Sequence, residues 1–139
     1  MRLTLLVAAL AGLITGAAQG AEDTPPIVGF WYSRGQPQDA REENIDVFYP
    51  DGRFVSLFRK YENCEVQWET AQTGKWRLEG TALITIVENT ARNENDRTQR
   101  YTVELVVQRE LHLRHLGTGY VFKARRQDNP RFPICEEGA

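Results

Sequence analysis

Two histidines stand three apart in His112-Leu113-Arg114-His115. Imidazoles ligate divalent metals and move protons near neutral pH. The run around this pair alternates apolar and polar residues, which predicts a strand, and on a strand positions i and i+3 face opposite sides. One metal ion cannot be held by both without a bend, and no HxH or HExxH spacing occurs in the chain. No metal site is expected. The two serines, Ser33 and Ser56, lie outside any Gly-x-Ser-x-Gly pattern. Cys64 has no histidine placed beside it by spacing. Six carboxylates, Glu42, Glu43, Asp46, Glu62, Glu65 and Glu69, offer material for an acid–base pair, whose separation would set the chemistry. Nothing in their spacing brings two together, and acidic residues on strands are ordinarily solvated. No glycine-rich segment leads from a strand into a helix, so no phosphate-binding loop and no cofactor is expected. The chain is not expected to be an enzyme.

Aromatic side chains are the more informative set. Trp31, Phe54, Phe58, Trp68, Trp76, Tyr101, Tyr120 and Phe122 are spread over most of the chain. Turned inward together, they either fill a core or line an apolar cavity, and both readings stay open. If there is a cavity, Phe58, Trp76, Tyr101 and Phe122 are the expected ligand-binding lining. Arg59 or Lys60, whichever faces in, would then be a polar anchor, with a ligand carboxylate as a candidate partner for that buried charge.

The elements that must position these residues read as short strands. Residues 27–33 (IVGFWYS) and 44–49 (NIDVFY) are the first two. Pro50-Asp51-Gly52 is a turn, because proline fixes φ and glycine tolerates positive φ. Residues 53–62 follow as a third strand, making a hairpin over 44–61. The next segment holds either two strands, Val66 to Thr70 and Lys75 to Leu78, or one long strand with a bulge near Thr73-Gly74. Residues 81–88 are rich in β-branched side chains. The polar stretch 89–99 reads as an exposed loop. Residues 100–108 resume alternation, with Tyr101, Val103, Leu105 and Val107 on one face. Residues 110–115 continue it, and 119–126 close with Tyr120, Phe122 and Ala124 on one face. Residues 36–44 could form one helical turn. The expected fold is all-β: an antiparallel meander of about eight strands closed into a barrel, or a sandwich.

The 139 residues fit one domain. Met1-Arg2 and the uncharged apolar run that follows have the layout of a signal peptide over residues 1–20, cut after Gly20 or Ala21. A periplasmic or secreted protein is expected, with no membrane span after processing. In that setting the two cysteines, Cys64 and Cys135, suggest a disulfide tying the tail, residues 127–139, to the domain. Seventeen basic against nineteen acidic residues leave no basic footprint for nucleic acid.

Gly29-Phe30-Trp31 on the first strand, the meander, and Arg125-Arg126 ending the last strand together resemble the lipocalin-like, or calycin-type, small exported bacterial barrels. The resemblance would cover residues 27–126. It implies that Trp31 plugs one barrel end and that Arg125 or Arg126 packs across it, a cation-over-ring contact of about 1 kcal/mol. The C-terminal helix that usually packs on such barrels has no counterpart in residues 126–139. The implied role is a periplasmic binding module for a small apolar ligand. The alternative is a partner-binding domain, an inhibitor or accessory of an envelope protein, with a filled core and its function on the loops.

Overall fold

The computed structural model describes residues 26–36, 39–90 and 97–135. The proposed leader and the middle of the 89–99 segment lie outside the described residues. Eight strands follow in chain order: β1 (Gly29–Gln36), β2 (Asp39–Phe48), β3 (Arg53–Glu62), β4 (Glu65–Glu79), β5 (Ala82–Thr90), β6 (Thr98–Val106), β7 (Glu110–His115) and β8 (Val121–Gln127). Each is antiparallel to the next, and β8 returns to β1 to close the barrel. Closure means that none of the eight described strands is an edge strand of an open sheet.

Alternation sets which side chains enter. Trp31 and Ser33, Asn44 to Phe48, and Phe54 to Phe58, taken at every second position, face inward. Each element's inner and outer residues then follow from the cross-strand register. Among the described residues the register shifts in four pairs; one shift lies between Arg34 and Gln36 of β1, and the other three bear on the expected reading. One lies at Thr73/Gly74, so the fourth element is one long bulged strand rather than two. The backbone of Ile86 lies where a β-carbon on Gly74 would stand, so only glycine lets β4 and β5 approach there. A second bulge, at Lys60/Tyr61, lies beside the β3–β4 turn. The third, between Val103 and Leu105, corrects the expected face of β6. Tyr101 and Val103 point inward as expected, but the extra residue hands the next inward place to Val106. Val107 is left exposed.

Residues 36–44 also depart from expectation. Instead of a helical turn, β2 begins at Asp39 and pairs with both neighbours, Gln36↔Asp39 and Arg34↔Glu43 on one side and Glu42↔Lys60 on the other. Backbone groups satisfied on two sides outweigh a single polar helical turn, which has a costly nucleus and nothing to bury.

The core has two parts. Inside the barrel, Ile27, Trp31, Phe48, Phe54, Leu83, Leu111 and Leu113 form a buried cluster, with Trp76 and Phe122 packed against it. Phe48 touches Phe54 and, edge-on, Trp76. The second cluster is on the outer wall. Tyr32, Ile45 and Val47 are buried there, with Val55, Leu57 and Phe132 packed on them. Ile45 is 0% exposed although it points away from the lumen, because the C-terminal tail crosses this wall. The Cys64–Cys135 disulfide anchors that tail to the tip of the β3–β4 hairpin.

Candidate functional site: the barrel lumen

One barrel end is sealed. Trp31 is 0% exposed and donates its indole N–H to Ile27 O at 2.7 Å, so the segment before β1 folds under the ring. The Arg126 guanidinium lies 4.3 Å from the Trp31 ring centroid. It also donates to Val28 O, Pro26 O and Gln108 O at 2.7, 2.5 and 2.7 Å. Three carbonyls and one ring thus fix the arginine, and the arginine fixes the plug. Arg125 goes elsewhere. Register places Arg126, not Arg125, opposite Trp31, and Arg125 sits on the outer face with its guanidinium 5.0 Å from the Tyr32 ring.

The other half of the barrel is hollow. A cavity of about 260 Å³ lies above Phe48, Phe54, Leu83 and Leu113 and reaches Thr118 in the β7–β8 turn. Phe58, Tyr101 and Phe122 line its sides. Tyr101 meets Phe122 and His115 edge-on, and Tyr120 meets Phe122 at 4.7 Å between centroids. These T-shaped contacts place the positive edge of one ring against the negative face of another.

A polar network crosses one wall. Ser33 Oγ donates to Asn44 Oδ1 at 3.2 Å. Asn44 Nδ2 donates to Ser56 Oγ at 2.8 Å and to Asp46 Oδ1 at 3.2 Å. Ser56 Oγ donates to Asp46 Oδ1 at 2.6 Å. Burial pushes the Asp46 carboxyl above its usual range, while the Ser56 and Asn44 hydrogen bonds pull it partly back. His115 lies on another wall. Its Nδ1 accepts from the Thr118 N–H at 3.1 Å, and its Nε2 lies 2.6 Å from Gln99 Oε1.

No family model matches this sequence, and no curated protein matches it. Among solved structures, a lipocalin-like protein from Bacteroides uniformis is similar, with a TM-score of 0.54 at 15% identity. The match covers 74% of this chain and 100% of that one. The closed eight-strand antiparallel barrel and this likeness agree. The fold is lipocalin-like.

Within the lipocalin-like barrel, three of the four residues named from sequence as ligand lining, Phe58, Tyr101 and Phe122, meet around the cavity. Trp76 does not join them. The β3–β4 register, Phe54↔Gly74 and Arg53↔Lys75, carries it to the barrel floor, against Phe48, where its indole N–H donates to Tyr49 O at 2.9 Å. The expected polar anchor is also displaced. Arg59 points outward, where it forms a salt bridge with Glu43 at 2.6 Å and donates to Pro133 O at 3.1 Å. Lys60 shares the inward register of Phe58 but does not line the cavity.

The six carboxylates scatter. Glu43 is 4% exposed on the outer wall and also accepts from Tyr32 OH at 2.7 Å. Burial and this carboxylate push the Tyr32 phenol well above its ordinary range. Glu62 pairs with Arg41 at the surface, and Glu65 and Glu69 are exposed on β4. Only Asp46 lines the lumen. His112 and His115 face opposite sides, His112 turning out to Glu110 at 2.7 Å. The buried serines act as links in the Asp46 network. Asn44, Asp46, Ser56 and His115 are the lumen residues that sequence reasoning missed as a group. Their common signal was present: polar residues at the inward parity of β2, β3 and β7, where apolar ones belong.

Proposed function

We propose that the lumen binds a small, mostly apolar molecule, and that the chain acts as an exported binding protein in the periplasm or outside the cell. The observation that carries this reading is the cavity itself. About 260 Å³ is left open above a tightly packed floor, and the residues around it combine aromatic walls with a hydrogen-bonded polar cluster. Sites for small molecules have this composition, apolar walls with a few placed polar groups, and this volume lies just below their usual span of about 300–1,000 Å³. A barrel needed only as a scaffold would gain stability by filling that space with side chains. The Cys64–Cys135 disulfide supports an oxidising compartment, in line with the leader-like residues 1–20.

Calorimetric titration with indole, a small neutral aromatic, tests the reading. Saturable binding of one indole per chain is expected. Val87→Phe, which places a ring in the cavity from β5, should abolish it while the folded barrel persists by circular dichroism. Undiminished binding in the filled variant would place the site elsewhere and end the lumen reading.

A further inference from the structure

The lumen carries one carboxyl group with no cation beside it among the described residues. Among the described residues lining the cavity there is no lysine or arginine, and the ring nitrogens of His115 are taken up by Thr118 and Gln99. Asp46 is the one carboxylate there. Both donors that reach it, Ser56 Oγ and Asn44 Nδ2, bind the same oxygen, Oδ1. Among the described residues none reaches Oδ2. The nearby basic residues lie elsewhere: Arg59 on Glu43 and Arg125 over Tyr32 at the outer face, Arg126 over Trp31 at the sealed end, and Lys60, in the inward register, away from the cavity lining. A carboxylate held in a largely apolar chamber calls for a cationic or strongly donating partner. The chamber also holds aromatic rings at Phe54, Phe58 and Tyr101, whose faces attract cations.

We infer that the ligand is a small organic ammonium ion with an apolar body. Its charged group sits beside Asp46 Oδ2, and its body lies against the Phe54, Phe58 and Tyr101 rings. This rests on the lumen being the binding site, and it names the class of molecule that site selects. It also reverses the charge preference expected from Arg59 or Lys60. A carboxylate ligand would meet Asp46 with like charge and no cation to offset it.

Three probes of one skeleton separate the terms: phenethylamine as its ammonium ion, phenethyl alcohol, and hydrocinnamate. Calorimetry at pH 7 should show the ammonium binding at least about tenfold more tightly than the alcohol, the span of a charge-assisted hydrogen bond. Hydrocinnamate should be weakest. In Asp46→Asn the ammonium should fall to the level of the alcohol, while alcohol binding persists and shows that the chamber is intact. Equal affinity for ammonium and alcohol in the wild-type protein overturns the inference and leaves the lumen as a neutral site. Tighter binding of hydrocinnamate than of the ammonium also overturns it. Failure of all three to bind overturns the inference and the lumen reading together. The wild-type series decides the charge preference by itself if the Asn variant does not fold.

Discussion

At Gly29 the guanidinium of Arg126 lies where a β-carbon would stand, and φ is +139°, so glycine is required twice over. The Gly-x-Trp spacing then has a local cause. Glycine makes room for the arginine, and the residue two further on presents its ring to that arginine from the same face. Trp31→Ala should cost about 3–5 kcal/mol in urea denaturation, the usual range for a large buried aromatic. A loss under about 1 kcal/mol would mean that the ring plugs nothing. Asp46 makes the opposite contribution. Its folded-state pKa is raised, so the folded protein holds this proton more tightly than the unfolded chain does. Stability therefore falls as pH rises from the ordinary carboxylate value through the folded one. Asp46→Asn should raise the melting temperature at pH 7 and change it little at pH 3. An equal shift at both pH values would remove the charge explanation.

The aromatic spacing and the Gly-x-Trp signal were legible at this scale because each acts within one strand. The engagement of Arg59 was not. Arg59 and Lys60 are adjacent, parity decides which enters the barrel, and parity depends on a register that no single strand contains. Asp46 was readable as a carboxylate but not as a lumen residue for the same reason.

Elements carry the next level of cause. The C-terminal segment has no strand pattern of its own, yet it covers the outer wall of β1–β3. Phe132 packs on the Tyr32, Ile45 and Val47 cluster, and Arg59 lies 4.5 Å from the Phe132 ring while bonding Pro133 O. This explains why β2 and β3 carry apolar residues at outward positions, which reads in sequence as strands buried on both faces. The disulfide holds the strap at a demanding place. Asn63 and Cys64 form the two-residue β3–β4 turn, both with positive φ, at 50° and 59°. That geometry favours Asn-Gly, and cysteine in the second place hid the hairpin from turn-based reading. Cys135→Ser should cost about 4 kcal/mol by the loop-entropy estimate for a 71-residue separation. It should also expose the outer cluster to hydrogen exchange before the lumen residues. Glu43→Ala, which strands Arg59 under the strap, should cost about 3–5 kcal/mol in the same denaturation assay. A change under 1 kcal/mol would show that the pair is solvated and the strap loose.

Over the whole molecule, eight short strands, closely spaced turns and the absence of a helical pattern after residue 26 made a closed meander readable from sequence. Pairing along the chain is local and needs only hairpins, with the β8–β1 contact as its one long closure. What sequence left open was whether the barrel is full or hollow. That depends on how side-chain volumes sum across strands, on a β3–β4 register that carries Trp76 to the floor, and on a bulge that brings Val106 in. The result is a barrel with two halves: a packed end under Trp31 and a chamber toward the β7–β8 turn. The packed half gives stability, and the chamber leaves a specific volume unfilled where one wall carries Asp46.

The central claim, that this chamber takes a small molecule, is tested most directly by methyl-resolved NMR during titration with phenethylamine. The methyls of Leu83, Val87 and Leu113, which line the cavity, should shift in a saturable manner. Those of Ile45 and Val47, buried beneath the strap on the outer wall, should stay in place. Shifts confined to the outer cluster, or no shift at the three lumen methyls at saturating concentration, would contradict the account.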